Sequence, residues 1–563
     1  MPFKTPTGGV LLGRLHRGLL MALIAAVMLA VVLPVTVDAS TPRGSAAPGG
    51  PGQPIGWTAC GSGLECAHVP VPLDWRHPDG PTIMLAVIRH LASRPEQRIG
   101  SLFFNPGGPG DSGVAAVAER GEALDALTAG RFDIVGWDIR GSAGSSPVLC
   151  FANASERASF WQGLPVPTTG TERRRYLAKT VALAQRCGVR NGELLAHITT
   201  ADTARDLDHL RRLVGDRQLS YLGESYGTLI GQTYANLFPR RVRAMVLDGV
   251  VDPVAAAAGT EAVLASSLAD TDRVFREFLR LCEAAGPDRC ALAGHGPVAV
   301  RVRQLLTRLR HSPIAVPSGE LTYGEALTAV KYSGLPDPAL WPEVAAVFEL
   351  AAEGDASVLD AIAAGATSDQ ARVLLQEQGV ALVCADSPAR HPATAWPGVV
   401  RRLAAVSRVG GPPLGWINAP CASWPTSSAD RYTGPWNATT KHPILVIGTR
   451  FDPNTPLANA RRAARRLGNA VLLTHDGTGT SAAEIRAPAS FRPPAATSWI
   501  SPRQRPEPCA PLTVSRSIPS SANHALDGVF IAATGCSPPV FILLARWSRK
   551  SPGQGDACLV TWL

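Results

Sequence analysis

The chain has 563 residues, 45% of them apolar and 18% charged, with a formal net charge of +9. That composition excludes wholesale disorder and leaves room for a full catalytic core plus an inserted or appended second region. The positive charge does not point to nucleic acid, because the arginines are spread over helical surfaces, as at Arg211-Arg212 and Arg461-Arg462, with no basic stripe interleaved with aromatics.

Lys4, Arg14 and Arg17 precede an apolar run from Leu19 to Val35 and the small-residue step Val37-Asp38-Ala39, the pattern of a cleaved secretory signal over residues 1–39. The alternative is an uncleaved anchor, since the run is near the lower limit for spanning a bilayer. No cysteine stands at the cleavage step to take a lipid, so the mature chain is expected to be extracellular and off the membrane. Residues 40–56, rich in Gly, Pro and Ser, read as a flexible leader. The chain has eleven cysteines, which in an exported protein are expected to pair. Proximity couples Cys60 with Cys66, Cys150 with Cys187, Cys282 with Cys290 and Cys384 with Cys421, leaving Cys509, Cys536 and Cys558 as an odd set.

From Trp57 onward, strand and helix patterns alternate. Apolar, β-branched runs occur at Thr82 to Ile88, Ser101 to Phe104, Phe132 to Trp137, Leu219 to Leu222, Ala244 to Leu247, Ile444 to Ile447 and Ala470 to Leu473. This predicts an α/β fold with a mostly parallel sheet, helices on both faces and chemistry at the carboxyl ends of the strands. Between residues 253 and 440 the strand signal fades, and Thr271 to Glu283, Val298 to Arg310 and Leu340 to Ala352 read as amphipathic helices of an inserted cap. The core is expected over 57–252 and again over 441–479.

Gly223-Glu224-Ser225-Tyr226-Gly227 sits between an apolar strand and a helical segment, Thr228 to Leu237, which is the context a Gly-x-Ser-x-Gly nucleophile turn requires. The two glycines allow the sharp turn and close helix packing that lift the Ser225 hydroxyl above the sheet. Asn105-Pro106-Gly107-Gly108-Pro109-Gly110 follows the Ser101 strand, where backbone amides are needed for an oxyanion. Gly107 or Gly108, with the amide of Tyr226, is expected to supply them. As a phosphate loop the segment lacks the Gly-Lys-Ser/Thr ending. In chain order the acid falls at Asp452, in Gly448-Thr-Arg-Phe-Asp452-Pro453-Asn454-Thr-Pro456; Asp248 and Asp252 are alternatives. No metal or organic cofactor is indicated.

Taken in order, Asn105 to Gly110, Phe132 to Asp138 with Arg140-Gly141, Thr200 to Asp206, Gly223 to Gly227 and Leu247 to Pro253 resemble the secreted tripeptidyl aminopeptidases over about Trp57 to Gly479. The resemblance implies an α/β-hydrolase fold and a serine exopeptidase that acts on peptide substrates, releasing tripeptides from free N-termini, with cap residues binding the terminal amine. Proline iminopeptidases share the hydrolase core and the Gly-Gly-Pro-Gly segment, and an esterase is the rival enzyme class. With Glu224 beside Ser225, Gly223 to Tyr226 also resembles the Gly-Glu-Ser-Tyr of serine carboxypeptidases. A carboxylate beside the nucleophile could hold a substrate terminus or simply bond nearby backbone.

The pattern breaks at its end. A Gly-His step is expected after the Ala470 strand, yet the chain reads Thr474-His475-Asp476-Gly477-Thr478-Gly479-Thr480-Ser481, with Thr480 where the histidine should be. His475 is a weak substitute and His524 a weaker one. Beyond Gly479 the chain turns to Ser, Pro, Ala and Arg without strand or helix periodicity. The break has the form of a frameshift: every Thr codon begins AC, and one restored C ahead of codon 480 reads CAC, histidine. With permitted codons the shifted frame continues into a Leu-rich segment and a pair of Cys. A genuine tail would instead leave a hydrolase-like binding protein with a nucleophile and no general base.

Overall fold

The computed structural model describes residues 55–481, apart from gaps at 163–165, 318, 356–358, 361–362, 365–367, 369–371, 388–390, 427 and 429; beyond 481 it describes five short strands. The expected signal at 1–39, nearly all of the leader and most of the tail, including His524 and the three odd cysteines, lie outside the described residues.

The strands that matter are β1 (Thr58–Gly61), β2 (Leu64–Pro72), β3 (Thr82–His90), β4 (Gly100–Asn105), β5 (Phe132–Trp137), β6 (Leu219–Glu224), β7 (Val242–Asp248), β8 (Ile314–Val316), β9 (Gly319–Leu321), β10 (Ile444–Phe451), β11 (Ala470–Thr478) and β12 (Thr513–Ser515). All but β8 and β9 pair in one sheet, in the order β1-β2-β3-β5-β4-β6-β7-β10-β11-β12. The run from β5 through β11 is parallel, and β1 to β3 join it antiparallel. Every residue of β4 and β6 is buried, as expected of central strands covered on both faces. This is the α/β-hydrolase fold.

Two differences from the sequence pattern have local causes. β2 is absent from the apolar runs because Pro70 and Pro72 interrupt it, yet it pairs with β3 without a break from Leu64↔His90 to Pro72↔Thr82. β11 runs on to Thr478 because its ladder with β10 continues through Thr449↔His475 and, after a bulge, Phe451↔Thr478. The polar composition of that stretch hides the strand.

The insertion does not pack as one body. Buried residues between Val274 and Ala363 form a core of their own around Phe278, Trp341 and Phe348, with β8 and β9 as a small hairpin. The helices Gly379–Asp386, Trp396–Val406 and Gly411–Ile417 instead contribute Val380, Trp396 and Trp416 to the main core. All four cysteine couples expected from proximity are bridged.

Several of the quoted motifs turn out to brace the scaffold. Arg140 and Asp206 form a fully buried ion pair, with Arg140 also donating to the carbonyls of Leu73 and His197 and Trp75 Nε1 donating to Asp206. Asp206 lies on the helix Thr200–Leu213, which starts in a reciprocal cap between Thr199 and Asp202. Asp138 accepts from Ser112, the cap of the helix Gly113–Leu127, and from the amide of Val114, fixing the helix that follows the glycine loop.

Candidate active site

The turn after β6 is built by steric exclusion. Ser225 sits at φ 52°, ψ −120°, a conformation costing a side-chain-bearing residue about 1–3 kcal/mol, between the strand and the helix Tyr226–Leu237. A Cβ on Gly223 would lie 2.5 Å from the carbonyl oxygen of Gly227, and one on Gly227 would lie 2.6 Å from that of Asn105. Only glycine fits at either place. The Ser225 amide donates to the Asp248 carbonyl at 3.0 Å, and the Thr228 hydroxyl donates to the Ser225 carbonyl at 2.6 Å, so the strained residue is held from both sides.

Gly107 lies directly against this turn: at φ 103°, its imagined Cβ would stand 2.6 Å from Glu224 O and 2.9 Å from both Ser225 Cβ and Tyr226 N. Its own amide donates to Asn105 Oδ1 at 3.1 Å. Among the described residues, the amides of Gly108 and Tyr226 have no protein acceptor. Of the two glycines expected to supply a donor, Gly108 therefore has the available N–H. The roof over Gly110 is Leu374, Gln378 and Leu382 of the insertion, the first of these 3.5 Å from a Cβ placed on that glycine.

Asp452, just past β10, is completely buried. It accepts from the amides of Asn454 and Thr455, both at 2.8 Å, and from the Thr455 hydroxyl at 2.6 Å. Burial pushes its carboxyl up to about 6 against the pull of these bonds and of Lys331. Asp252, the alternative acid, caps the helix Pro253–Ala258 and pairs with Arg462 and Arg466 at 2.5 and 3.0 Å. Asp248 ends β7 and receives the Ser225 amide on its carbonyl.

Thr480 reaches the same place. Its amide donates to Pro336 O at 3.2 Å, and its hydroxyl accepts from Asn454 Nδ2 at 3.1 Å. The meeting point is Gly249, at φ 65°, where a Cβ would lie 2.4 Å from Thr480 O and 2.9 Å from Thr455 Oγ1. Thus the serine turn, the Asp452 loop and position 480 converge at the carboxyl ends of β6, β7, β10 and β11. His475 belongs to the body of β11: its Nδ1 is 3.4 Å from Thr449 Oγ1, its ring covers Gly477, and burial lowers its pKa. Among the described residues it has no hydrogen bond to Ser225 or Asp452.

Glu224 receives a two-pronged ion pair from Arg120 of the helix Gly113–Leu127, at 2.8 and 2.9 Å. Arg120 also lies 4.7 Å over the Phe104 ring. The sequence reading leaves this partner and Lys331 unnamed, and quotes Gly249 and Asn454 only inside longer motifs. Only Gly249 carried a signal, as the Asp-Gly step closing a strand.

The chain is similar to known proteins over most of its length. A family model described as alpha/beta hydrolase fold matches residues 100–286, and one described as TAP-like protein matches residues 407–493. Tripeptidyl aminopeptidase of Streptomyces lividans is 31% identical over 446 residues, covering 76% of this chain and 80% of the relative. Serine protease Hip1 of Mycobacterium tuberculosis is 33% identical over 464 residues, covering 76% and 85%. A protein of the same organism named carboxylesterase B is 33% identical over 467 residues, with the same shares.

Proposed function

The chain belongs to the tripeptidyl aminopeptidase family of α/β-hydrolase serine peptidases, and on that basis we propose that it is built to release tripeptides from free peptide N-termini through an acyl-enzyme on Ser225. The observation that carries the reading is the strained Ser225 packed against Gly107, with the amides of the following residues, Gly108 and Tyr226, lacking an acceptor among the described residues. In this reading Ser225 Oγ attacks the scissile carbonyl and the two amides hold the developing oxyanion. Asp452 orients an imidazole at position 480, which takes the serine proton and returns it to the leaving amine.

Thr480 cannot perform that last role, because a neutral hydroxyl is no base near pH 7. The chain with Thr480 is therefore expected to turn over several orders of magnitude more slowly than its relatives. We attribute Thr480 to a lost base, with histidine in the restored frame. Export is part of the proposal, supported by the signal pattern at 1–39 and four disulfides. An esterase is the second reading, favoured by the relative named carboxylesterase B.

Thr480→His tests the proposal directly. Its introduction is expected to raise hydrolysis of a tripeptide 4-nitroanilide by about 10³-fold or more, with N-acetylation of the substrate abolishing the gain. Ester turnover without peptide turnover would move the assignment to the esterase. Failure of both, together with no fluorophosphonate labelling of Ser225, would overturn the catalytic reading.

A further inference from the structure

The Asp452 loop is held from the insertion as well as from the sheet. The Pro453 carbonyl accepts from Thr271 Oγ1 and from Lys331 Nζ, both at 2.7 Å, and the Arg450 carbonyl accepts from Arg273. Lys331 is the unusual member, because it is a lysine only 2% exposed. Its stem lies against Gly410, where a Cβ would come 3.3 Å from Lys331 Cδ, and its ammonium donates a second bond to Asn454 Oδ1. Burying an ammonium is costly unless it is paired and bonded, and this one sits beside the buried carboxylate of Asp452.

An ammonium only donates, so it claims the oxygen of the Asn454 amide and leaves the NH₂ to face the other way. That NH₂ donates to Thr480 Oγ1 at 3.1 Å, while the Asn454 backbone amide donates to Asp452 Oδ1 at 2.8 Å. One side chain from the insertion thereby sets the surroundings of both the acid and the residue at position 480.

We propose that Lys331 is a positioning residue of this site, which locks the loop from Asp452 to Thr455 and aims the Asn454 amide at position 480. The proposal rests on the reading of Asp452 as the acid. Burial lowers Lys331 to about 7 and raises Asp452 to about 6, and each charge draws the other back toward its ionised form. Neighbouring charges are engaged with other partners: Arg273 pairs with Asp270, and Arg450 with Asp476, while the His475 ring faces Thr449.

The test is the ionisation of Asp452 in the full chain, followed by pH-difference infrared spectroscopy of its protonated carboxyl band and assigned with Asp452→Asn. Lys331→Met is expected to raise the midpoint by about one pH unit or more, and Asn454→Ala to leave it nearly in place. In the Thr480→His chain, both variants are expected to lower kcat about tenfold or more with KM little changed, as misplacement of a catalytic group does. Lys331→Gln serves if the Met variant fails to fold. A midpoint that stays put in a folded Lys331 variant overturns the proposal. Full activity of Thr480→His in combination with Asp452→Asn would instead sink the acid assignment, a separate outcome.

Discussion

Replacing Glu224 by glutamine separates a structural brace from a substrate-binding carboxylate. The Glu224 and Arg120 side chains are 7% and 17% exposed, and two bonds of 2.9 and 2.8 Å join them. Removing one partner of such a pair costs about 3–5 kcal/mol. The residual exposure of Arg120 places the expectation at the lower end, about 3 kcal/mol. Because Glu224 immediately precedes Ser225, the loss also slackens the strained turn. The assay is a four-chain cycle of parent, Glu224→Gln, Arg120→Met and the double variant, comparing urea midpoints by tryptophan fluorescence at constant m. The double variant should recover at least about 1 kcal/mol relative to the sum of the singles. Additive singles would refute the brace. So would a Glu224→Gln chain of parental stability whose KM for peptides rises in the Thr480→His background, which would make the carboxylate a substrate group.

Gly107→Ala forces a Cβ to 2.6 Å from Glu224 O at φ 103°, and overpacking together with the positive φ should cost about 3 kcal/mol; fluorophosphonate labelling of Ser225 in the Thr480→His chain should fall with it, and intact labelling would exclude a close approach of this loop. His209 is lowered to about 4, chiefly by burial, so it stays neutral when folded and contributes stability that is fully present above its unfolded value near 6.5 and lost as pH falls through about 4. The melting-temperature advantage of the parent over His209→Gln should therefore shrink between those pH values, and a constant difference would contradict the burial. Removing the Cys384–Cys421 bridge with paired serines should cost about 2–4 kcal/mol by thermal denaturation, since it closes a separation of 37 residues and ties the Gly379–Asp386 helix to the main core.

The legible part of this protein lies in short windows. The strand before Ser225, the glycines around it and the helix after it lie within one run of residues, so the strained turn at Ser225 follows from local sterics alone. The disulfides were open to reading because each couple is local enough for chain proximity to select it. The same local grammar exposed Thr480 as out of place, since a histidine is expected at a fixed step after the last parallel strand.

Contacts that cross the chain were beyond such reading. Arg140 and Asp206 read as two unrelated motif residues until the sheet brings them together across 66 positions, and Arg120, the ion-pair partner of Glu224, comes from 104 residues away. Lys331 carried no signal at all, being one lysine in a helical stretch whose ammonium meets the Asp452 loop 122 residues later. Sequence by itself determined the fold class and the strand-turn-helix around Ser225, and it supplied the proposed roles of Ser225, Asp452 and position 480, because strand-turn-helix geometry and strand order are set by neighbouring residues and steric exclusion. Only the tertiary structure decided which glycine amide lies open, which charge Glu224 pairs with and how the insertion grips the Asp452 loop, because buried charges and donors take their meaning from partners that folding alone brings within 3 Å.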